Sequence, residues 1–451
     1  AAVEWLRHLD PLAPDQRAQL RPPHRLGGFG LRAQQELRGV AYLGSWLGCL
    51  EGVRDRCPSG TVDQGAFQAA AQSWAAGLCE TTAELAAAGI HLAEQGEVVD
   101  GDRPNAVWAW EDGCAAVPKA QRQLTRAVEA KAREDLLCRT ASREDRARLR
   151  SAAGKGAGAW LSATPTTEEE TFEDGDFCAA TRLRLGQSVC PPETRCSNHS
   201  AASGATCASL LDLGGVHALT CKVGGAVHRK HNTLVRLLAR LLRAAGYDVL
   251  EEVWEPRWDK EVRNRDGTPK LDREGNPVWR RARLDLKLMA PPEEPLVFGD
   301  VVVSHPGAQC AVRDAANEDG VTAQKAKERK MARYPPAEIP NSRLVAFSVE
   351  TGGRWDKDAL DFLKKAAGRA AQRHPGLASL EEGGSSAVFA SWLRQLSCAL
   401  QKANVAGLRG AAAGGVQPTG VRREEETDPD WLSEQIDELL RAAAEAAGAV
   451  L

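Results

Sequence analysis

The spacing of apolar positions changes along the chain, and each change predicts a different kind of structure. Up to about residue 160 the apolar residues recur at helical spacing in Ala-rich segments, which predicts helices over Leu37–Val53, Gly65–Ala88 and Pro118–Ser151. Arg21-Pro22-Pro23 breaks an earlier helix, and the glycines of Gly27-Gly28-Phe29-Gly30-Leu31 read as a turn. No apolar strand precedes them, as a phosphate loop would require. Trp46 lies on the first of these helices, and Trp74, Trp108 and Trp110 are expected in the core. A small-residue connector (Ser151–Ser162), an acidic run (Glu168 to Asp176) and a short helix over Phe177–Gly186 follow. From Ala226 the pattern sharpens: Leu234, Leu237, Leu238, Leu241 and Leu242 form one face of a helix whose other face carries arginines, and Gly246 ends it.

Between Gly246 and Glu350 the period becomes that of strands. Leu250-Glu251-Glu252, Arg283-Leu284-Asp285-Leu286, Phe298 to Val303 and Leu344 to Glu350 each read as a strand. The polar stretch from Trp254 to Arg281, with turns at Asp266-Gly267 and Glu274-Gly275-Asn276, reads as one or two projecting hairpins. A basic helix is expected over Ala323–Tyr334, and two more over Trp355–Gln372 and Val388–Leu408. A Gly/Ala-rich linker after Gly410 and an amphipathic helix over Trp431–Ala446 close the chain.

Composition narrows the class. With 43% hydrophobic and 26% charged residues in 451, the chain reads as an ordinary globular protein with room for two to four domains. The net charge of −3 excludes a global polycation, although residues 226–283 hold 14 Lys/Arg against 9 Asp/Glu, so any basic surface is local. No apolar run reaches the roughly 20 residues of a membrane span, so no membrane partner is expected. The absence of an initiator Met suggests a piece of something longer. Twelve cysteines without a secretory signal point to reduced thiols and metal ligands.

Five of those cysteines lie between Cys178 and Cys221, together with His199 and His217. His217 and Cys221 are four apart, as two ligands on one helical turn would be, and thiolate plus imidazole suits Zn²⁺. Residues 187–222 contain few bulky apolar side chains, so a metal is expected to replace a core there. The favoured ligands are Cys196, Cys207, His217 and Cys221, with Cys190 as the alternate to Cys196. Downstream, Asp285 and Asp300 fall on what read as adjacent antiparallel strands, and Lys330 and Tyr334 share a helix face. Acids on neighbouring strands beside a lysine make a Mg²⁺ (or Mn²⁺) site for phosphodiester cleavage. Arg229, Lys230, His231, Arg329 and Arg333 are candidates for phosphate contact.

Taken in order, these motifs resemble the C-terminal half of the polyprotein of a site-specific non-LTR retrotransposon (LINE class). There a zinc knuckle precedes a restriction-like endonuclease of the PD-(D/E)XK type. Leu26-Gly27-Gly28-Phe29-Gly30-Leu31 with Ala41-Tyr42-Leu43-Gly44-Ser45-Trp46 resembles the segment after the reverse transcriptase fingers and palm. Gly156-Ala157-Gly158-Ala159-Trp160-Leu161 and Arg182-Leu183-Arg184-Leu185-Gly186 resemble the linker before the knuckle. Val349-Glu350-Thr351-Gly352-Gly353-Arg354-Trp355 and Leu396 to Gln401 resemble the closing motifs, so the likeness spans roughly residues 20–412.

The resemblance implies an α+β multidomain chain. Its parts would be a helical thumb/linker region (1–165) after a reverse transcriptase core, a zinc-knuckle region (166–227), and an α/β endonuclease with a mixed sheet flanked by helices (228–408). A linker with a C-terminal helix (409–451) would end it. The resemblance also implies that Asp285, Asp300 and Glu251 hold the catalytic metal, with Glu252 or Glu255 as other candidates for the first-strand acid. Lys330 and Tyr334 would match the family's displaced lysine and the tyrosine that follows it. Leu284 stands where the family usually has proline, and Val302 where a compact Asp-x-Lys motif has its lysine. The expected activity is nicking of target DNA to leave a 3′-hydroxyl that primes reverse transcription of the element RNA, in the nucleus, with no small-molecule cofactor. The alternative expectation is a catalytically inactive module that grips nucleic acid through the knuckle and the basic helix. No aromatic-x-Asp-Asp polymerase signature occurs in these residues.

Overall fold

The structure is a computed structural model, and it describes residues 10–32, 37–42, 45, 120–165, 167–200, 203–289, 294–374 and 382–412. The helices expected over Gly65–Ala88 and Trp431–Ala446, most of that over Leu37–Val53, and Trp46, Trp74, Trp108 and Trp110 lie outside these residues. The chain divides into two compact units, Leu12–Ala141 and the remainder. None of the described helices is long and apolar enough to cross a membrane.

In the first unit, α1 (Pro14–Leu20) leads into the glycine turn, and α2 (Ala120–Arg139) supplies Glu129. That buried carboxylate takes Arg25 and Arg32 from either side of the turn, at 2.5 Å each. Gly28 is required: a Cβ there would stand 2.0 Å from the Pro22 carbonyl oxygen. The stretch is therefore a tight structural turn, as its sequence context predicted.

The helix expected over Pro118–Ser151 is in fact two. Thr140, Ala141 and Ser142 interrupt it, and Ser142 caps the new helix α3 (Arg143–Ser151) by accepting the Asp145 N–H at 3.1 Å. The interruption falls at the boundary between the units. Residues 142–165 accordingly fall within the second unit. Arg354 donates to the Arg150 carbonyl at 2.9 Å, and Arg150 and Arg354 both pair with Asp319.

After α4 (Asp174–Leu185) and α5 (Val216–Thr220), the amphipathic α6 (Ala226–Ala244) buries its leucine stripe. It ends before Gly246, whose φ of +81° suits a residue without a Cβ. The sheet runs β1 (Asp248–Trp254), β4 (Arg283–Met289), β5 (Leu296–Ser304), β6 (Ser342–Glu350) in spatial order. The β1–β4 and β4–β5 pairs are antiparallel and the β5–β6 pair is parallel, so the sheet is mixed. β2 (Lys260–Glu261) and β3 (Trp279–Arg280) form a separate two-stranded ribbon in the insertion between β1 and β4.

Side chains alternate across the sheet. Val297, Val345 and Phe347 join α6 and the two later helices, while Phe298 and Leu344 join a smaller cluster with Trp258 and Tyr334. The β5-to-β6 crossover carries α7 (Val312–Ala315) and α8 (Val321–Arg333). α9 (Lys357–Arg373) and the long α10 (Glu382–Ala412) complete an α+β unit with a mixed sheet flanked by helices.

His305, directly after β5, offers a stability test. Its Nδ1 meets the Thr351 hydroxyl and its Nε2 is sealed from solvent, and burial depresses its pKa to about 4. A depressed imidazole contributes stability that is present above its ordinary value near 6.5 and lost as pH falls toward 4. Chemical denaturation of the wild type should therefore show stability declining across that window. His305→Asn should flatten the slope, and an unchanged slope would refute the assignment.

Candidate functional site

The acids meet because of strand register. Leu286 pairs with Gly299 across β4 and β5, so the next position sets Asp285 opposite Asp300. Glu251 pairs with Leu286 and Val253 with Leu284 across β1 and β4, which sets Glu252 opposite Asp285. A row Glu252–Asp285–Asp300 thus crosses three neighbouring strands. Glu252 sits at φ +53°, a left-handed conformation inside a strand that costs a non-glycine residue about 1–3 kcal/mol. Such strain is characteristic of sites where geometry has been fixed for function.

Each aspartate has its own compensation. One Asp285 oxygen accepts from the ring of His231 on α6 at 3.0 Å, and the other accepts the Val301 N–H at 2.7 Å. Burial opposes charge on Asp285, but His231 and the Val301 N–H outweigh it and hold the carboxyl below its ordinary range. His231 is in turn held above the usual imidazole range, because Asp285 overcomes the effect of burial. Asp300 is 2% exposed and forms an ion pair with Lys330 of α8. Burial, reinforced by the nearby negative charge of Asp285, pushes it up to about 7 in spite of that lysine. Beside this pair a cleft of about 150 Å³ is lined by His231, Arg236, Glu251, Glu252, Arg283 and Asp285.

Several sequence expectations need revision. Glu251 and Glu252 both line the cleft; Glu251 is paired with Arg243 at 2.8 Å and Glu252 with Arg283 at 3.8 Å, and the register sets Glu252 opposite Asp285. Glu255 is paired with Arg257. Tyr334 is buried against Trp258, which in turn meets Phe298, and its hydroxyl donates to the Arg283 carbonyl at 3.3 Å; it anchors the end of α8. Lys230 is not available to phosphate. It is 4% exposed, burial brings its pKa down to about 8, and its Nζ donates to the Leu219 carbonyl at 3.4 Å. His231 belongs to the acid site. Helical spacing carried this signal, since Lys230 stands four residues before Leu234 and eight before Leu238, on the buried face. Arg229 and Arg329 are exposed, while Arg333 lies partly buried against the Tyr334 ring.

The cysteine–histidine cluster assembles as expected. The ligand atoms of Cys196, Cys207, His217 and Cys221 lie within 4.8 Å of one another. The Cys196 and Cys221 sulfurs are 3.8 Å apart, and the Cys207 sulfur is 3.4 Å from His217 Nε2. Tetrahedral Zn²⁺ with Zn–S bonds of about 2.3 Å needs sulfurs about 3.8 Å apart. This Cys₃His set therefore fits a metal such as zinc.

The wide gap between Cys196 and Cys207 is a small antiparallel ribbon, bridged at Arg195–Leu210 and His199–Thr206. Asp212 holds the His217 turn by accepting the Val216 and His217 N–H groups at 2.8 and 2.7 Å. Hydrogen bonds from Ser209 bring Cys207 down to about 6, whereas burial drives Cys196 up to about 12. Cys190 is buried beside the cluster but is not one of the four. The segment is docked on α10: Ser197 donates to the Ala411 carbonyl, and Leu408 and Ala411 join its apolar contacts.

No protein-family model matches this chain, and no curated protein matches its sequence.

The ligand set is directly testable by elemental analysis of purified protein. Cys196→Ser and His217→Ala should each lower zinc well below one per chain, whereas Cys190→Ser should leave it at one. Zinc loss in Cys190→Ser with retention in Cys196→Ser would reverse the assignment.

Proposed function

We propose that this chain is a metal-dependent DNA endonuclease of the restriction-like class, the nicking module of a site-specific non-LTR retrotransposon. The observation that carries the proposal is the facing pair Asp285 and Asp300 on adjacent strands, with Lys330 against Asp300 and Glu252 completing the row.

The donor set is all carboxylate oxygen, which suits Mg²⁺ or Mn²⁺ over softer metals. Asp285, Asp300 and Glu252 would hold the ion, which when bound supplies Lewis acidity and an acidified water. His231 fixes Asp285 through one oxygen and keeps that carboxylate ionised. Lys330 holds a positive charge where the phosphoryl oxygens develop negative charge. Arg236 and Arg283 at the cleft are placed to take the flanking phosphates. The Cys₃His metal does no chemistry in this scheme; with all four ligands from protein it is closed, and it fixes the segment that leads into α6. Target DNA and element RNA are the partners this reading implies, and DNA as substrate makes the nucleus the site of action.

Nicking of supercoiled plasmid with Mg²⁺ or Mn²⁺ tests the proposal. Asp300→Asn and Lys330→Ala should each reduce nicking by about 10²-fold or more. Glu252→Gln should cost more activity than Glu251→Gln. Undiminished nicking by Asp300→Asn would sink the proposal. A wild type that binds DNA in a salt-sensitive manner and never cuts it would leave only a binding module.

A further inference from the structure

The insertion between β1 and β4 has a composition that its own fold does not explain. Residues 263–277 are all exposed, so the arm has no core, yet Leu271 and Trp279 on it are 54% and 57% exposed. Trp254, where the arm leaves β1, is 50% exposed. Large apolar side chains held in water along one insertion point to a contact surface.

Charge says which partner. Residues 255–283 hold nine Lys/Arg and six Asp/Glu. Five of the six acids are used inside the arm. Asp266 and Asp272 close its two turns, Glu255 and Glu261 pair with Arg257 and Arg263, and Asp259 accepts the Trp254 indole N–H. Arg265, Lys270, Arg273, Arg280 and Arg281, in contrast, have no carboxylate within ion-pairing distance among the described residues. The outward charge of the arm is therefore positive, around exposed aromatic rings.

Its position is equally specific. Trp254 pairs in register with Arg283, two residues from Glu252 on one strand and two from Asp285 on the other. Two residues of strand span about 7 Å. Trp254 is also held in place, with its N–H locked by Asp259 at 3.0 Å and the Arg281 guanidinium 5.0 Å from its ring. A ring fixed in this way loses little entropy on binding a planar partner.

We propose that this arm is a platform for single-stranded DNA. Bases of the strand beside the acid site stack on Trp254 and Trp279, and Arg280 and Arg281 neutralise the phosphates between them. The inference rests on the endonuclease reading for its choice of DNA, but its test does not depend on cleavage.

The measurement is fluorescence anisotropy of a labelled 20-nucleotide oligothymidylate with the full chain, without divalent cation, across a salt series. Trp254→Ala and Trp279→Ala should each weaken binding about fivefold or more. Arg280→Ala combined with Arg281→Ala should weaken it and flatten the dependence of log Kd on log salt by about 0.7 for each phosphate no longer neutralised. Trp254→Phe, which keeps a ring, should recover most of the affinity, and thermal midpoints check that the variants fold. Wild-type affinity in both tryptophan variants, or weakening seen only on a blunt duplex of the same length, would overturn the platform. Failure of plasmid nicking alone would overturn the endonuclease and leave the platform intact.

Discussion

Two carboxylates set opposite each other on adjacent strands repel, and much of the second unit can be understood as the means of holding them there. Asp285 and Asp300 cannot both be charged in a half-buried place without compensation. The fold supplies it from two helices, His231 of α6 for Asp285 and Lys330 of α8 for Asp300. The compensation is unequal. Asp285 keeps its charge through His231 and a backbone N–H, while Asp300 stays poised near neutral pH in spite of its lysine. The two carboxyls therefore differ in charge state although they face each other on adjacent strands.

What the sequence revealed follows from what periodicity can encode. The strands bearing Asp285 and Asp300, and the helix bearing Lys330, were legible because alternation and a 3.6-residue period mark buried faces. The ordering of the cysteines was legible because four ligands must converge in a segment without a core. Glu252 was not, because its left-handed φ interrupts the alternation that would have told it from Glu251, and nothing local in Glu251-Glu252 signals that conformation. Lys230 is a different case. The helical period placed it on the leucine face, but its charge invited an assignment to the surface. The split at Ser142 was likewise available as an N-cap residue followed by acids in the first turn, within a segment that otherwise reads as continuous helix.

The Cys₃His segment illustrates a second economy. Its side chains are too small to make a core, and the positions that are buried are mostly the cysteines themselves with Leu211, Ala218 and Leu219. Docking on the last turns of α10 gives it apolar contacts that its own sequence lacks. The buried Lys230 ties the first turn of α6 to the carbonyl at the end of α5. His231, the next residue, holds Asp285. The Cys₃His cluster, the buried lysine and the histidine that meets Asp285 are therefore consecutive links of one covalent and hydrogen-bonded chain. Loosening the cluster should reach the acids through α6 without any change in the sheet.

Lys330 reaches Asp300 from a helix and not from a neighbouring strand, and that route gives the residues after β6 a role. Val302 is apolar, and the positive charge that meets Asp300 comes from α8, across the crossover. A side chain delivered from a helix is only as well placed as the helix. Tyr334 pins the C-terminal end of α8 among Trp258 and Phe298. At the other end, buried Glu350 accepts the Thr322 N–H at 3.2 Å, and Lys327 reaches Asp356 at 3.2 Å and Asp358 at 2.6 Å. Burial pushes the Glu350 carboxyl upward, a cost offset by its position at a helix N-terminus, where the unpaired N–H groups favour an acceptor. The residues from Glu350 to Asp358 thus have a mechanical reason to be where they are: they fix the register of the helix that carries Lys330. In a site whose lysine is not on the strand of its acid, precision has to be built into the helix ends.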